Sequence, residues 1–430
     1  MDPPPNPDVQ ISGYFQMDLG LGHSVRLMES LLKESGVSFG YKNYTNAGAH
    51  RIARPWNESD TLADHAPVHV CGVNLDNVRN FSRDHPEMFT QDRYVIGMWF
   101  WEVPVIPEEY LPAINSVDEI WVATEYMRDI FRKYCDKPVN CYPQPIAIPE
   151  EFPKKSSEHQ TFRFYFSFDF CSLCRRKNPD GLIRAFKLAF PDPGEADLLI
   201  KSVNGHLYPV EMQNLRSLIQ ESSHIHLIDG HLPQADLETL QESIDGYASL
   251  HRSEGYGLSL AAAMASGKPV LATAHSGNMT FMNHANSFLV PFEFAPVGPD
   301  AAPYPPEAEW AEPDETAASI LMVEMVRNHH ERMAKVAKAS ADIRASFSVE
   351  TGGRWVGNRI DEILRQMRET NPTPGQKWSS SCDRKELLED PETHPLEEVP
   401  EPEPEPEPVK IKKTPIGRKI RNSVKGWFSK

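Results

Sequence analysis

At 430 residues the chain is too long for one ordinary hydrophobic core, so two domains with appendages are expected. A net charge of −17 excludes a general nucleic-acid footprint, which needs a basic face, and no nucleic-acid partner is expected. No long apolar run is present and the N-terminal MDPPPNPDVQ lacks a charged-then-apolar leader pattern, which points to a cytoplasmic protein with no membrane span.

Six cysteines in so long a chain are sparse for a disulfide framework and suit a reducing compartment. Cys171 and Cys174 form a CxxC, but no second pair stands at zinc-finger spacing, so idle thiols and no metal are expected.

In chain order, DVQISGYF reads as a strand, followed by a glycine-bearing turn and a helix carrying Val25, Met28, Leu31 and Leu32 on one face, stopped at Gly36. VHVCGV, YVIGMWFW and EIWVATEYMRDIF continue the series, the last turning from strand into helix. A second series runs through FRFYFSFDF, the helical PDGLIRAFKLAF, DLLIKSV, HIHLIDG, GYASLHRS and KPVLATA. Alternating β and α elements predict two doubly wound parallel sheets facing a cleft. The boundary falls in PQPIAIPEEFPKKSSEHQ, giving domains over 1–150 and 151–345.

The stretch from Phe294 to Pro313 is rich in proline and acid and reads as a long loop; helical patterns then run from Thr316 to about Met367, interrupted around Ser346 to Gly353. A terminal helical segment is expected over 346–370, packing on the body. Residues 371–408, ending in EPEPEPEPVK, read as a disordered Pro/Glu-rich linker, and 409–430 as a basic tail. In that tail Thr414 and Pro415 start an amphipathic helix with Ile416, Ile420, Val424, Trp427 and Phe428 on one face. Arg418, Lys419, Arg421 and Lys425 fill the other, a pattern suited to an anionic membrane surface or to a docking partner.

The most informative words lie between Leu250 and Asn278: LHRSEGYGLSLAAAMASGKPVLATAHSGN. A strand ends at Glu254, a Gly-Tyr-Gly turn opens a helix, and the free amides at that helix N-terminus suit phosphates. Gly255 and Gly257 permit close backbone approach. A glycine turn between strand and helix is also common in any Rossmann-like fold.

The run SEGYGL followed by AMASGKPV resembles the donor-site signature of retaining GT-B glycosyltransferases (family 4-like, group 1). DLGLGHSVRLM, YVIGMWFWEVP, DEIWVATEYMRDIF, SFDFCSLCRRKNPDGLIRAF, SGNMTFM and EWAEPD resemble further words of that family in the same order. The resemblance implies two Rossmann-like domains and transfer of a sugar from a nucleoside-diphosphate sugar to a hydroxyl, with retention. It implies a metal-independent hexosyltransferase with no cofactor beyond the donor substrate. Lys177 and Glu254 are the implied catalytic residues, with Arg176, or else Arg175, as a second cation on the diphosphate. Gly20, Gly22 and the amides of Gly255, Tyr256, Gly257 and Leu258 are the implied donor-binding groups, and Glu102 and Asn278 are expected at the cleft.

Three positions depart from the pattern. Ala262 stands where the family places a second glutamate for the ribose, and His23 and Thr280 replace acidic residues. A catalytically impaired scaffold is therefore the rival reading. The acceptor implied is a glycan or lipid-linked glycan in cell-surface synthesis, which agrees with a peripheral site on the inner face of the plasma membrane.

Overall fold

The computed structural model describes residues 7–46, 48, 50–52, 54, 65–146, 161–370 and 378–388. The expected membrane-binding residues of the tail, Ile416 to Phe428, lie outside the described residues. Among the described residues no helix is long and apolar enough to cross a membrane.

The first sheet contains β1 (Val9–Gly13), β2 (Phe39–Asn43), β3 (Val68–Cys71), β4 (Tyr94–Met98), β5 (Glu119–Val122) and β6 (Val139–Cys141). Their spatial order is β2-β1-β3-β4-β5-β6, and every neighbouring pair is parallel, with Val9 opposite both Phe39 and Val68. Its helices are α1 (Gly20–Ser35), α2 (Val78–Asp84), α3 (Leu111–Ser116) and α4 (Glu125–Phe131). The apolar stripe expected on α1 is buried, and Gly36 ends the helix in the left-handed region at φ 75°.

The second sheet contains β7 (Phe162–Asp169), β8 (Ala196–Val203), β9 (Ile225–Asp229), β10 (Gly246–Ser249), β11 (Val270–Thr273) and β12 (Phe288–Val290), ordered β12-β11-β10-β7-β8-β9. All neighbours are again parallel. The inner strands of both sheets are buried on two faces, which is why they read as near-continuous apolar runs. Between and after these strands come α5 (Cys174–Lys177), α6 (Pro179–Ala189), α7 (Pro209–Ile219), α8 (Gln234–Glu242) and α9 (Leu258–Ala265). The strand order reverses at β7 and β10, so the loops leaving their carboxyl ends diverge and open a crevice.

Three stretches differ from the sequence reading. The loop expected from Phe294 to Pro313 begins and ends as an antiparallel hairpin, β13 (Phe292–Pro296) with β14 (Glu309–Pro313). The helical region is α10 (Glu315–Arg327), α11 (His329–Ser346) and α12 (Val349–Glu369), so the break before α12 spans only Phe347 and Ser348. Gly352 and Gly353 are helical because α12 crosses back to pack on α1. A Cβ on Gly352 would lie 2.6 Å from a Leu31 methyl, and one on Gly353 2.6 Å from Glu34. Arg359 of α12 pairs with the fully buried Glu119 at 2.5 Å, and Trp355 meets Trp121 edge to face.

The third difference lies within the expected linker. Residues 378–388 dock on the first unit and end in the short helix α13 (Lys385–Leu388). Trp378 meets Tyr94, and Leu387 is buried. The Arg384 guanidinium, 1% exposed, pairs with Asp118 at 2.6 Å and donates to the carbonyls of Ser116 and Arg93. A proline-glutamate composition count hides this anchor, because it averages over the few residues that make it.

Candidate active site

The crevice at the β7–β10 switch point holds a mixed ion cluster. Lys177 closes α5, where Asn178 takes the left-handed conformation and caps α6 with its side chain. That cap fixes the loop, so the Lys177 ammonium reaches Glu254 Oε1 at 2.5 Å. Arg176, on the same turn, stands 3.5 Å from Glu254 Oε2 and 3.9 Å from Glu102 Oε1. It also donates to the carbonyls of Ser253 and Ser172, which sets its plane. Arg175 points the other way, donating to Pro299 and Val297 carbonyls and lying over Trp310. Of the two arginines, Arg176 is therefore the one in the cluster.

Glu102 enters from the first unit, after β4. Its carboxylate accepts a hydrogen bond from Tyr304 at 2.6 Å, and its carbonyl accepts from the Tyr126 hydroxyl and from Ser253. Tyr304 packs against Trp101 at 5.4 Å. Sequence reasoning missed Tyr304 because it sits in the proline-rich stretch, where no periodicity or motif points to Glu102.

Burial pushes the Glu254 carboxyl up, but Lys177, Arg176 and His251 outweigh it and bring it down to about 2. Burial carries the Lys177 ammonium below its ordinary value against the pull of Glu254. Burial, with Glu102 adding to it, holds the Tyr304 phenol far above the usual range. The cluster thus sets the Glu254 and Glu102 side chains against Lys177 and Arg176.

Above the cluster runs the glycine turn. Gly257 has φ 91°, a conformation that favours glycine, and it starts α9. The N–H groups of Gly255, Tyr256, Gly257 and Leu258 find no acceptor among the described residues. The Tyr256 side chain is instead buried and donates to the Gln144 carbonyl. Close approach is evident at Gly277, where a Cβ would lie 2.0 Å from the Gly255 carbonyl oxygen. The turn is also tied down by Ser276, whose hydroxyl accepts from the Glu254 amide at 2.8 Å.

The remaining expected residues separate. Gly20 begins α1 with open space where a side chain would go, whereas a Cβ on Gly22 would meet the Tyr14 carbonyl oxygen at 2.6 Å. Packing accounts for Gly22. Asn278, expected at the cleft, is fully buried: it joins His251 at 3.1 Å and donates to the Thr273 carbonyl. It braces the turn from beneath. Ala262 lies one turn inside α9 and is exposed.

Residues 171–295, which contain Arg176, Lys177, Glu254 and the glycine turn, match the family described as glycosyl transferases group 1. The second unit is thus similar, over that segment, to group 1 glycosyl transferases. A curated relative, the GtfA subunit of the UDP-N-acetylglucosamine–peptide N-acetylglucosaminyltransferase of Streptococcus agalactiae, is 29% identical over 191 residues. That match covers 42% of this chain, which spans 35% of the relative's length.

Among solved structures, the sucrose-phosphate synthase of Thermosynechococcus elongatus superposes with a TM-score of 0.61 at 13% identity, over 84% of this chain and 100% of that one. HepE of Anabaena, in complex with UDP and glucose, gives 0.58 at 13% identity over the same shares. These likenesses establish the two-domain GT-B fold, with the second sheet supplying the β7–β10 crevice.

Proposed function

We propose that the chain transfers a sugar from a nucleoside-diphosphate sugar to a hydroxyl, with retention at the anomeric carbon and without a metal at the reacting atoms. The observation that carries this reading is the Lys177–Glu254–Arg176 cluster beneath the free amides of residues 255–258. A diphosphate drawn to those amides and to the α9 N-terminus competes for Lys177, releasing Glu254 to accept sugar hydroxyls. Lys177 and Arg176 then offset the charge of the departing diphosphate. Gly20 faces the donor from the first unit, which binds the acceptor.

Ala262 supports a second reading, a catalytically impaired scaffold, because no carboxylate stands there to accept the ribose hydroxyls. Losing such an acceptor costs about 1.5–3 kcal/mol of binding. The two readings separate in a screen of nucleotide sugars, led by UDP-sugars because of the relative's name, with calorimetry and product analysis. A transferase binds a donor and yields product, and Ala262→Glu tightens binding of the free nucleoside diphosphate. Binding without turnover of any donor and acceptor pair favours the scaffold.

The tail from Thr414 to Lys430 is proposed to place the enzyme on an anionic membrane beside a glycan or lipid-linked acceptor, each nearby cation contributing about 1 kcal/mol. Flotation with anionic liposomes should fall with added salt and vanish on truncation after Pro408. A full-length protein that ignores anionic liposomes at low salt would leave partner docking as the tail's role.

A further inference from the structure

At the far end of the loop that carries Lys177, three side chains of metal-ligating type converge from both units. His50 belongs to the stretch after β2, while Asp169 ends β7 and Cys171 follows it. The ligand atoms of all three lie within 4.8 Å of one another. His50 Nδ1 is 3.4 Å from Asp169 Oδ2, with both side chains 17% exposed.

The pairing of His50 with Asp169 is incomplete in an informative way. Nδ1 is buried and has no hydrogen-bond partner among the described residues, although the carboxylate oxygen is so near. A nitrogen facing an oxygen without donating to it is the arrangement of two ligands around a shared cation. The other carboxylate oxygen is already committed: Asp169 Oδ1 accepts from the Cys171 amide and from Asn204 Nδ2, each at 2.9 Å. Those bonds orient the carboxylate and leave Oδ2 toward the imidazole, as supporting hydrogen bonds do around bound metals.

We propose that His50, Asp169 and Cys171 bind one divalent transition-metal ion of the zinc type. Imidazole nitrogen, carboxylate oxygen and thiolate sulfur together suit Zn²⁺, and carboxylate plus thiolate cancel its charge once the thiol proton passes to solvent. Bond lengths to such ligands put neighbouring donor atoms about 3.3–3.8 Å apart in a tetrahedron, close to the His50–Asp169 separation. Water completes the fourth position. Sequence spacing gives no hint of this site, because its ligands are far apart in the chain and the CxxC draws attention to Cys174 instead.

The ion would tie the two walls of the crevice together. The stretch carrying His50 is joined to the loop before α1, since Met17 bridges Ile52 and Asp18 pairs with Arg51 at 3.0 Å. Asp18 also reaches His231 of the second unit at 3.4 Å, so the metal would reinforce a contact that already spans the crevice. It lies in the wall and takes no part in moving the sugar.

Cobalt titration of the full-length protein, kept reduced with a non-chelating phosphine, tests this. One equivalent should give the visible bands of tetrahedral Co²⁺ together with a near-ultraviolet sulfur-to-cobalt band, and Zn²⁺ should abolish both. Cys171→Ser should lose the sulfur band, whereas Cys174→Ser keeps it. Asn204→Ala, which leaves all three ligands, should weaken binding about 10–100-fold. No saturable binding at one equivalent, or a sulfur band that survives Cys171→Ser, overturns the proposal.

Discussion

Lys177 and Glu254 illustrate how a pair of side chains can be expensive to bury and still useful. Neither is fully exposed, and each is compensated by the other and by Arg176. Because the folded Glu254 carboxyl titrates at about 2 rather than near its ordinary 4.5, its ionised form favours folding. That contribution is complete above pH 4.5 and disappears as pH falls toward 2. Urea midpoints measured down this range should fall more steeply for the wild type than for Glu254→Gln. Equal slopes would mean that the cluster does not hold the carboxylate.

The two residues were legible as a site only through the words around them. Glu254 stands before a glycine turn and Lys177 before Asn178-Pro179, but nothing local says that they touch. That contact arises because β7 and β10 are neighbours in the sheet, a fact of topology rather than of either segment. Tyr304 and His50 were illegible for the same reason, with no motif to compensate.

At the scale of elements, alternating apolar runs and helical stripes marked the sheets, and the glycine at Gly36 marked a true helix end. Periodicity fails where an element serves tertiary packing. Gly352 and Gly353 looked like a helix break yet are the flat surface on which α12 meets α1. The docked residues 378–388 show the same principle, because their hold combines the Arg384 guanidinium with Trp378, Ser380 and Leu387. Arg384→Ala leaves Asp118, 8% exposed, without its charge partner. Loss of such a buried pair costs about 3–5 kcal/mol. Chemical denaturation should show a drop of that order, and Arg384→Lys should recover only part of it because lysine lacks the planar fork. A change within error would mean that the Arg384–Asp118 pair does not hold the segment in place.

For the whole molecule, the strand order of the second sheet places the ion cluster and the free amides at the β7–β10 switch point. The first unit reaches that point through Glu102 and through Thr124, whose hydroxyl donates to the Gly255 carbonyl at 3.3 Å. The proposed transfer rests on charge arranged before the donor arrives. The most direct test is turnover of the preferred nucleotide sugar by wild type, Lys177→Ala and Glu254→Gln, with circular dichroism confirming that each is folded. Each variant is expected to lose about a hundredfold or more of its rate; near-wild-type turnover by both folded variants would contradict the assignment of this crevice as the active site.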